Sequence, residues 1–419
     1  MTGPGGRVAV LAPEPIRPRM AGMGIRALEL ARVLSEEFDV RLLTPGSAAS
    51  AREVAGEIAV VSVSPSSLAG QARAVDAAVV SGHAASFWFH QLPEVPVAAD
   101  LYDPFPVENL HYARVLGETT SAHDRAAFEL ALARADAFLC ASPEQRLFYA
   151  GALFSRGRIG AHNFPDDPTL SGLLKIVPFG VPREPACGDR KAGRRAVGAP
   201  LSGPLVLFGG IYDWYQPDLL LTAWPEILRR HPDARLLFFE NPNPETTPQV
   251  SFGRARQRAR EIDPQGSSIL FSPWLPYASR ADLYAATDLL VTICSEGLET
   301  ELSYRTRLLD AAWGGVPSVS VSGGSLAHEL ARIEAGFESA PEASALAGRV
   351  VSLLSDPERR ARAAAAAVRF AAARSWKVVA EPLAAWIRQA RVDAGRLALP
   401  PPAGNRSMLR RLGRRLGLS

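Results

Sequence analysis

The 419-residue chain is longer than one ordinary hydrophobic core requires, so its length predicts two domains. Hydrophobic residues make up 47% of it and charged residues 21%, which is typical of a globular protein, and the net charge of +3 does not indicate a nucleic-acid partner. The three cysteines lie far apart with no CxxC pair, which argues against a disulfide framework or a zinc site. We expect neither a signal peptide nor a membrane-spanning run, and therefore a cytoplasmic protein.

Short apolar runs alternate with helical patterns through residues 1–183. Most of these runs are apolar on both faces, as expected for strands that are covered by helices on both sides. The alternation predicts an α/β domain with a doubly wound parallel sheet. The predicted strands are 8–11, 40–43, 58–63, 77–80, 97–101, 137–140 and 176–179.

Charged residues, glycines and prolines concentrate between residues 184 and 203, and this stretch predicts a linker. The strand–helix pattern then restarts over 204–375, with predicted strands at 205–208, 235–239, 269–271, 289–293 and 318–321. Two similar halves would form a cleft, and ligands of open α/β sheets bind at the carboxyl ends of the strands. The cleft is therefore the expected site.

Residues 299–317 carry the most informative chemistry. A loop rich in charged and hydroxyl residues precedes a helical pattern, with Thr306 placed to cap the helix. A nucleotide-sugar site needs amides and cations for a diphosphate, a carboxylate for the ribose and another acid for the sugar. The alternative is a surface ion-pair network around a helix start. The candidates for the three roles are Arg305, Arg307, Asp310, Glu299 and Glu301.

The first half offers two further loops. Gly22 and Gly24 begin a helical pattern where backbone can approach a phosphate, but their spacing is not the GxGxxG fingerprint, which argues against NAD or FAD. Asp103 follows a strand predicted to end near Leu101 and is a candidate for acting on an acceptor hydroxyl or binding the donor sugar. An ordinary turn aspartate before Pro104 is the alternative.

Neither metal nor hydrolase chemistry is indicated. The seven histidines show no pair at ligand spacing and no Asp-x-Asp motif occurs, so we expect no metal and interpret most histidines as surface or structural residues. The Gly-x-Ser-x-Gly elbow of many hydrolases is also absent.

The motifs, taken in order from about residue 8 to residue 330, resemble the GT-B glycosyltransferases of the large retaining family 4. Residues 309–317 are similar to the family's second-domain helix, with Asp310 in place of Glu, and Arg305-Thr306-Arg307 before it resembles a bacterial subgroup. Other segments resemble the same subgroup: 18–22, 24–26, 100–105, 108–109, 138–142, 177–180, 209–214, 241–244 and 323–324.

This resemblance implies two Rossmann-like domains facing a cleft, with residues 376–395 forming a helix that crosses back to the first domain. It implies transfer of a sugar from a nucleoside-diphosphate sugar, with retention and without a cofactor, to an unidentified glycan, lipid-linked or small-molecule acceptor. The catalytic candidates are Asp103, Glu299 and Arg307. The donor-binding candidates are Gly22, Gly24, Arg26, Gly209, Gly210, Tyr212, Arg305, Asp310, Gly323, Gly324 and Ser325.

Two departures from the family pattern leave alternatives open. The family's paired acids are separated by seven residues, but the position counted back from Asp310 is Leu302. The family's Gly-Arg-x-x-x-x-Lys-Gly phosphate loop is replaced by residues 209–214, which carry no cation, so Arg305, Arg307 or Arg26 must meet the diphosphate charge. A non-catalytic nucleotide-sugar-binding subunit and a nucleotide-sugar epimerase are the alternative functions.

The Pro-rich tail, 396–419, places leucines and arginines in a basic amphipathic pattern. It predicts a weak, peripheral contact with the inner membrane face. A solubilising tail is the alternative.

Overall fold

The computed structural model describes residues 5–72, 74–92 and 94–397. Apart from its first two residues, the tail predicted to touch a membrane lies outside the described residues. The described chain forms two compact units, 5–179 together with 376–397, and 180–375. Within these residues, no helix is long and apolar enough to cross a membrane.

The first unit contains a seven-stranded parallel sheet in the order β3-β2-β1-β4-β5-β6-β7. Its strands are β1 (Gly5–Leu11), β2 (Phe38–Thr44), β3 (Ala59–Ser62), β4 (Ala77–Ser81), β5 (Val97–Asp100), β6 (Ala137–Cys140) and β7 (Leu174–Ile176). Its helices are α1 (Gly22–Leu34), α2 (Ala48–Ala55), α3 (Leu68–Ala72), α4 (Ala84–Gln91), α5 (Phe105–Glu108), α6 (Ala113–Leu116), α7 (Glu118–Arg134), α8 (Pro143–Ser155), and, from the C-terminal segment, α18 (Trp376–Val379) and α19 (Glu381–Ile387). A 3-10 helix spans Asn109–Tyr112.

The second unit contains a six-stranded parallel sheet in the order β10-β9-β8-β11-β12-β13. Its strands are β8 (Leu205–Gly210), β9 (Arg235–Phe239), β10 (Ile269–Ser272), β11 (Leu289–Ile293), β12 (Ser318–Val321) and β13 (Gly336–Glu338). Its helices are α9 (Arg190–Ala196), α10 (Pro217–Arg230), α11 (Val250–Ile262), α12 (Arg280–Ala286), α13 (Leu298–Leu302), α14 (Thr306–Trp313), α15 (Gly324–Arg332), α16 (Ala343–Ser355) and α17 (Pro357–Ala372). A 3-10 helix spans Tyr277–Ser279.

Five inner strands are buried along their whole length, as their apolar character on both faces predicted. Every residue of β4, β5, β6, β11 and β12 is buried. Polar residues mark several helix starts: the hydroxyl of Ser142 accepts the Gln145 N–H before α8, and the Asp356 carboxylate accepts the Arg359 N–H before α17. The predicted doubly wound α/β fold class is confirmed.

In two segments, the structure differs from the prediction made from the sequence. The run predicted as a strand at 176–179 pairs only up to Ile176, because Pro178 has no N–H to continue the ladder. Residues 184–203, predicted as a linker, contain α9 and pack into the second unit. Arg194 is fully buried there and donates to the carbonyls of Ala286, Pro200 and Gly203 and to the Asp288 carboxylate.

Candidate functional site

The carboxyl end of β8 is irregular. The pairing register between β8 and β9 shifts between Leu207 and Gly209, which leaves Phe208 outside the ladder. Gly209 has φ +90°, a conformation that other residues adopt only under strain. The carbonyl of Phe208 is therefore available to a side chain from elsewhere in the unit.

Arg307 donates a hydrogen bond to that carbonyl. Its Nη1 donates to the oxygen of Phe208 at 2.8 Å, and its Nη2 donates to the oxygen of Gly210 at 2.9 Å. The guanidinium carbon lies 3.9 Å from the centre of the Tyr215 ring. These bonds use only part of the donor capacity of a guanidinium, and the side chain is half-buried. Arg307 can therefore offer charge and N–H groups to an anion at this strand end.

Glu299 and Arg305, which precede Arg307 by a few residues in the sequence, form a buried ion pair. Each residue is 4% exposed, and the two nitrogens of Arg305 donate to the two carboxylate oxygens at 2.8 and 2.6 Å. The hydroxyl of Ser303 adds a bond to Glu299 at 2.6 Å. The charge of Arg305 is therefore paired with Glu299 inside the protein, and its contact with a diphosphate stays a prediction. Sugar binding by Glu299 stays a prediction.

Asp310 lies on α14 beside a second arginine. Arg280 contacts its carboxylate at 3.4 Å and stacks over the rings of Tyr277 and Trp313. Burial raises the pKa of the neighbouring Tyr284 phenol, and the negative charge of Asp310 adds to the effect. Asp310 is partly exposed, so its carboxylate is held in place without being enclosed.

The start of α14 has no side-chain cap, contrary to the prediction for Thr306. Thr306 is the first residue of the helix and Arg305 precedes it, with its side chain turned to Glu299. The first-turn N–H groups of a helix that lacks a side-chain cap favour anions.

The glycines before α15 have a packing reason. A Cβ on Gly323 would lie 2.4 Å from that of Ala327, and one on Gly324, at φ +72°, would lie 2.6 Å from the oxygen of Thr300. The start of α15 therefore sits directly against the segment that carries Glu299. Ser325 follows in the first turn and is half-buried.

Aromatic side chains surround the loop after β8. The rings of Tyr212 and Trp214 stack in parallel at 4.9 Å. A Cβ on Gly210 would come within 2.8 Å of the Trp274 ring, so only glycine lets that indole lie against the strand end. The rings of Tyr212 and Trp214 also lie 6.4 and 6.1 Å from that of Tyr215, which packs on the Arg307 guanidinium.

In the glycine loop of the first unit, a backbone amide is already bonded to a carboxylate of the protein. The amide of Gly24 donates to the Glu14 carboxylate at 2.7 Å, at the start of α1, which begins at Gly22. Arg26 is fully buried and bonded bidentately to Asp100, at 2.7 and 3.0 Å, as well as to two backbone carbonyls. The N–H groups of Arg26 are therefore bonded inside the protein, and its role in donor binding stays a prediction.

Carboxylates gather near the ends of β4 and β5. Asp103 lies between β5 and α5. Burial raises the pKa of the Tyr149 phenol, and the charges of Asp103, Glu108 and Asp100 raise it further. Within the described ranges, no three His, Cys, Asp or Glu side chains are grouped to hold a metal ion.

His83 was not among the residues predicted for the site, because most histidines were interpreted as surface or structural residues. It follows β4, and its Nε2 lies 2.7 Å from Oδ1 of the buried Asp124, whose other oxygen accepts from Asn109 at 2.8 Å. The ring also packs on Phe105, next to the Asp103 loop. Asp124 lies 41 residues away on α7, so local spacing gave no signal of the pair.

Comparison with known proteins identifies the architecture. The Anabaena protein HepE, solved in complex with UDP-glucose, superposes with a TM-score of 0.67 over 92% of this chain and 100% of its own, at 17% identity. A putative UDP-N-acetylglucosamine 2-epimerase from Listeria monocytogenes gives a TM-score of 0.53 over 92% of this chain and 96% of its own, at 14% identity. The fold is GT-B.

Sequence comparison gives a shorter match. A D-inositol 3-phosphate glycosyltransferase from Segniliparus rotundus is 30% identical over 207 residues, which are 48% of this chain and 44% of that protein. The chain thus spans less than half of this relative. No protein-family model matches the chain.

Within the GT-B fold, the position of Arg307 bears on the missing phosphate-loop cation. The resemblance implied a basic residue in the loop after β8, where this chain has residues 209–214 without one. Arg307 reaches that loop from α14 and bonds to its backbone at Gly210. A cation is therefore present at the loop although the loop sequence does not contain it.

Proposed function

We propose that this GT-B protein is a glycosyltransferase that takes a sugar from a nucleoside-diphosphate sugar. The observation that carries the proposal is the guanidinium of Arg307, held at the carboxyl end of β8 with donors to spare. The glycosyltransferase from Segniliparus rotundus and the UDP-glucose complex of HepE support it.

Arg307 would stabilise the charge that develops on the diphosphate as the bond to the sugar breaks. A preorganised cation is most useful where charge appears in the transition state, since it needs no reorganisation at that moment. The carbonyls of Phe208 and Gly210 and the ring of Tyr215 hold the guanidinium in place beforehand. The uncapped start of α14 would add amide groups to the same anion.

Asp310 would bind the ribose hydroxyls, and Glu299 would orient the donor sugar. Arg280 fixes Asp310 from one side, and Arg305 holds the Glu299 carboxylate in one orientation, so both arginines act as positioning residues. The amides at Gly323, Gly324 and Ser325 would lie near phosphate or ribose. No metal or organic cofactor takes part in this scheme.

Transfer would retain the anomeric configuration. The bond from the anomeric carbon to the phosphate oxygen breaks, a bond to the acceptor oxygen forms on the same face, and the acceptor proton passes to the departing phosphate. Asp103 remains the candidate for acting on the acceptor hydroxyl or for binding the donor sugar. The acceptor itself is a glycan, a lipid-linked molecule or a small molecule.

Release of UDP from UDP-glucose, followed by chromatography with a panel of acceptors, tests the proposal. A glycosyltransferase releases UDP faster when a suitable acceptor is present, and NMR of the product reports the anomeric configuration. Binding of UDP-glucose with no release under any condition would favour the non-catalytic subunit instead.

An epimerase is the second candidate, because the putative epimerase from Listeria monocytogenes shares the fold. It would convert the sugar of a UDP-sugar with no acceptor present. The same incubation, analysed for altered nucleotide sugars, separates the two activities.

A further inference from the structure

Asn241 carries a buried hydrogen-bond donor with no partner. It follows the end of β9 by two residues and is 7% exposed. Its Oδ1 accepts the backbone N–H of Asn243 at 2.7 Å, which fixes the amide orientation because only the oxygen end can accept. Within the part of the chain that the structure describes, Nδ2 has no hydrogen-bond partner. The unused group is therefore a donor.

Asn241 and Trp274 follow the ends of two neighbouring strands. Phe239, the last residue of β9, pairs with Ser272, the last residue of β10. Asn241 lies two positions after Phe239, and Trp274 lies two positions after Ser272. The rings of Phe239 and Trp274 are 6.0 Å apart, and the indole is half-buried. A buried amide donor and an aromatic face thus follow neighbouring strands, a combination that suits a planar base.

The same edge carries the proposed phosphate-binding arginine. Phe239 also pairs with Gly210 of β8, whose carbonyl accepts from Arg307 and whose Cα lies against Trp274. Arg307 and Asn241 are therefore linked through adjacent strand ends of one sheet. A nucleotide with its diphosphate near Arg307 would place its base within reach of this edge.

We propose that Asn241 reads the donor's nucleobase and selects a base that presents a carbonyl oxygen, uracil or guanine, over one that presents an amino group there, cytosine or adenine. The inference rests on the proposed function and names the base class of that site. A base with an amino group at that ring position would turn a donor toward Nδ2, so that neither donor is paired at this contact, whereas a carbonyl oxygen there accepts from Nδ2.

Calorimetric titration with UDP, CDP, GDP and ADP tests this inference. UDP and CDP carry pyrimidine bases, and GDP and ADP carry purine bases. Within each pair, the first base has a carbonyl group where the second has an amino group. We expect the wild type to bind UDP over CDP, and GDP over ADP, by about tenfold, the usual cost of one unsatisfied buried donor. Asn241→Asp keeps the oxygen that Asn243 needs and replaces the donor by an acceptor, so both ratios should fall to about one or invert.

Two further variants keep the test decisive. Asn163→Asp, in the first unit, should leave both ratios unchanged, and Asn241→Ser, which retains an accepting oxygen, replaces Asn241→Asp if that variant melts below the working temperature. Unchanged ratios in the Asn241 variants, or a wild type with no carbonyl preference, would overturn the inference while nucleotide binding still supports the proposed function. A wild type that binds none of the four contradicts the proposed function and the inference together.

Discussion

Both sheets carry a buried arginine–carboxylate pair at their carboxyl ends, and the difference between the two ends locates the proposed donor site. Arg26 pairs with Asp100 in the first unit, and Arg305 pairs with Glu299 in the second. Both arginines bond bidentately inside the protein. The second unit adds Arg307, whose guanidinium is bonded to the carbonyls of Phe208 and Gly210.

The first unit instead surrounds its strand ends with acids, among them Asp103, Glu108 and Asp124. A cationic strand end suits a diphosphate, whereas an acidic one suits the hydroxyl groups of an acceptor. The comparison therefore teaches that an arginine's partner, more than its place in a motif, determines whether it can serve a ligand.

Replacing Arg307 by Ala should have the largest effect. We expect turnover of UDP-glucose to fall about 10²–10³-fold, the usual loss when one preorganised donor to a developing charge is removed. The matched control is Arg256→Ala, which removes an exposed arginine from α11 and should leave turnover unchanged. Equal rates in the wild type and the Arg307 variant would remove Arg307 from the site.

Breaking the buried pair of the second unit should mainly cost stability. Arg305→Met leaves Glu299 buried without its partner and should lower the free energy of unfolding by about 3–5 kcal/mol in denaturant titrations. The double variant Glu299→Met/Arg305→Met should recover most of that loss yet show little turnover if Glu299 orients the sugar. A double variant with wild-type turnover would exclude that role.

Arg26→Met makes the corresponding change in the first unit. It should destabilise the fold by a similar amount, about 3–5 kcal/mol, because Asp100 loses its bidentate partner. Its affinity for UDP, measured by calorimetry, should stay within about twofold of the wild type, since the guanidinium is enclosed. A folded variant with much weaker UDP binding would support the sequence-based prediction that Arg26 binds the donor.

Thiol reactivity should give the smallest effect and report on each sheet separately. Burial raises the pKa of Cys140, at the end of β6, to about 12 and also raises that of Cys294, just after β11. At pH 8 both groups stay protonated, so a thiol reagent followed by mass spectrometry should label only the exposed Cys187 in the native protein.

The same shifts have a pH consequence. The folded state holds the two thiol protons more tightly than the unfolded chain does. The contribution of the buried thiols to the stability of the fold is therefore fully present below the ordinary thiol pKa of about 8.5, and it is lost as pH rises toward their pKa in the folded state. Rapid native-state labelling of Cys140 or Cys294 would contradict the burial described here.

The sequence predicted the sheets well because buried parallel strands are short, continuous apolar runs. It missed β13, whose three residues are too few to show a period, and it placed β7 at 176–179, two residues late and across Pro178. The 184–203 segment reads as a linker because its charges suggest exposure, and only the tertiary structure shows that Arg194 is bonded to carbonyls in the interior.

The contacts within the candidate site could not be predicted from the sequence. Arg305 and Arg307 are two positions apart in one motif, and spacing cannot tell which turns toward Glu299 and which reaches β8. The pairing of His83 with Asp124 and the vacant donor of Asn241 depend on contacts between distant elements, so sequence patterns gave no sign of either.

A crystal structure of the protein with UDP-glucose tests the central claim most directly. We predict diphosphate oxygens within about 3 Å of the Arg307 guanidinium, beside the end of β8. A nucleotide bound elsewhere, with Arg307 still bonded only to the carbonyls of Phe208 and Gly210, would contradict the account.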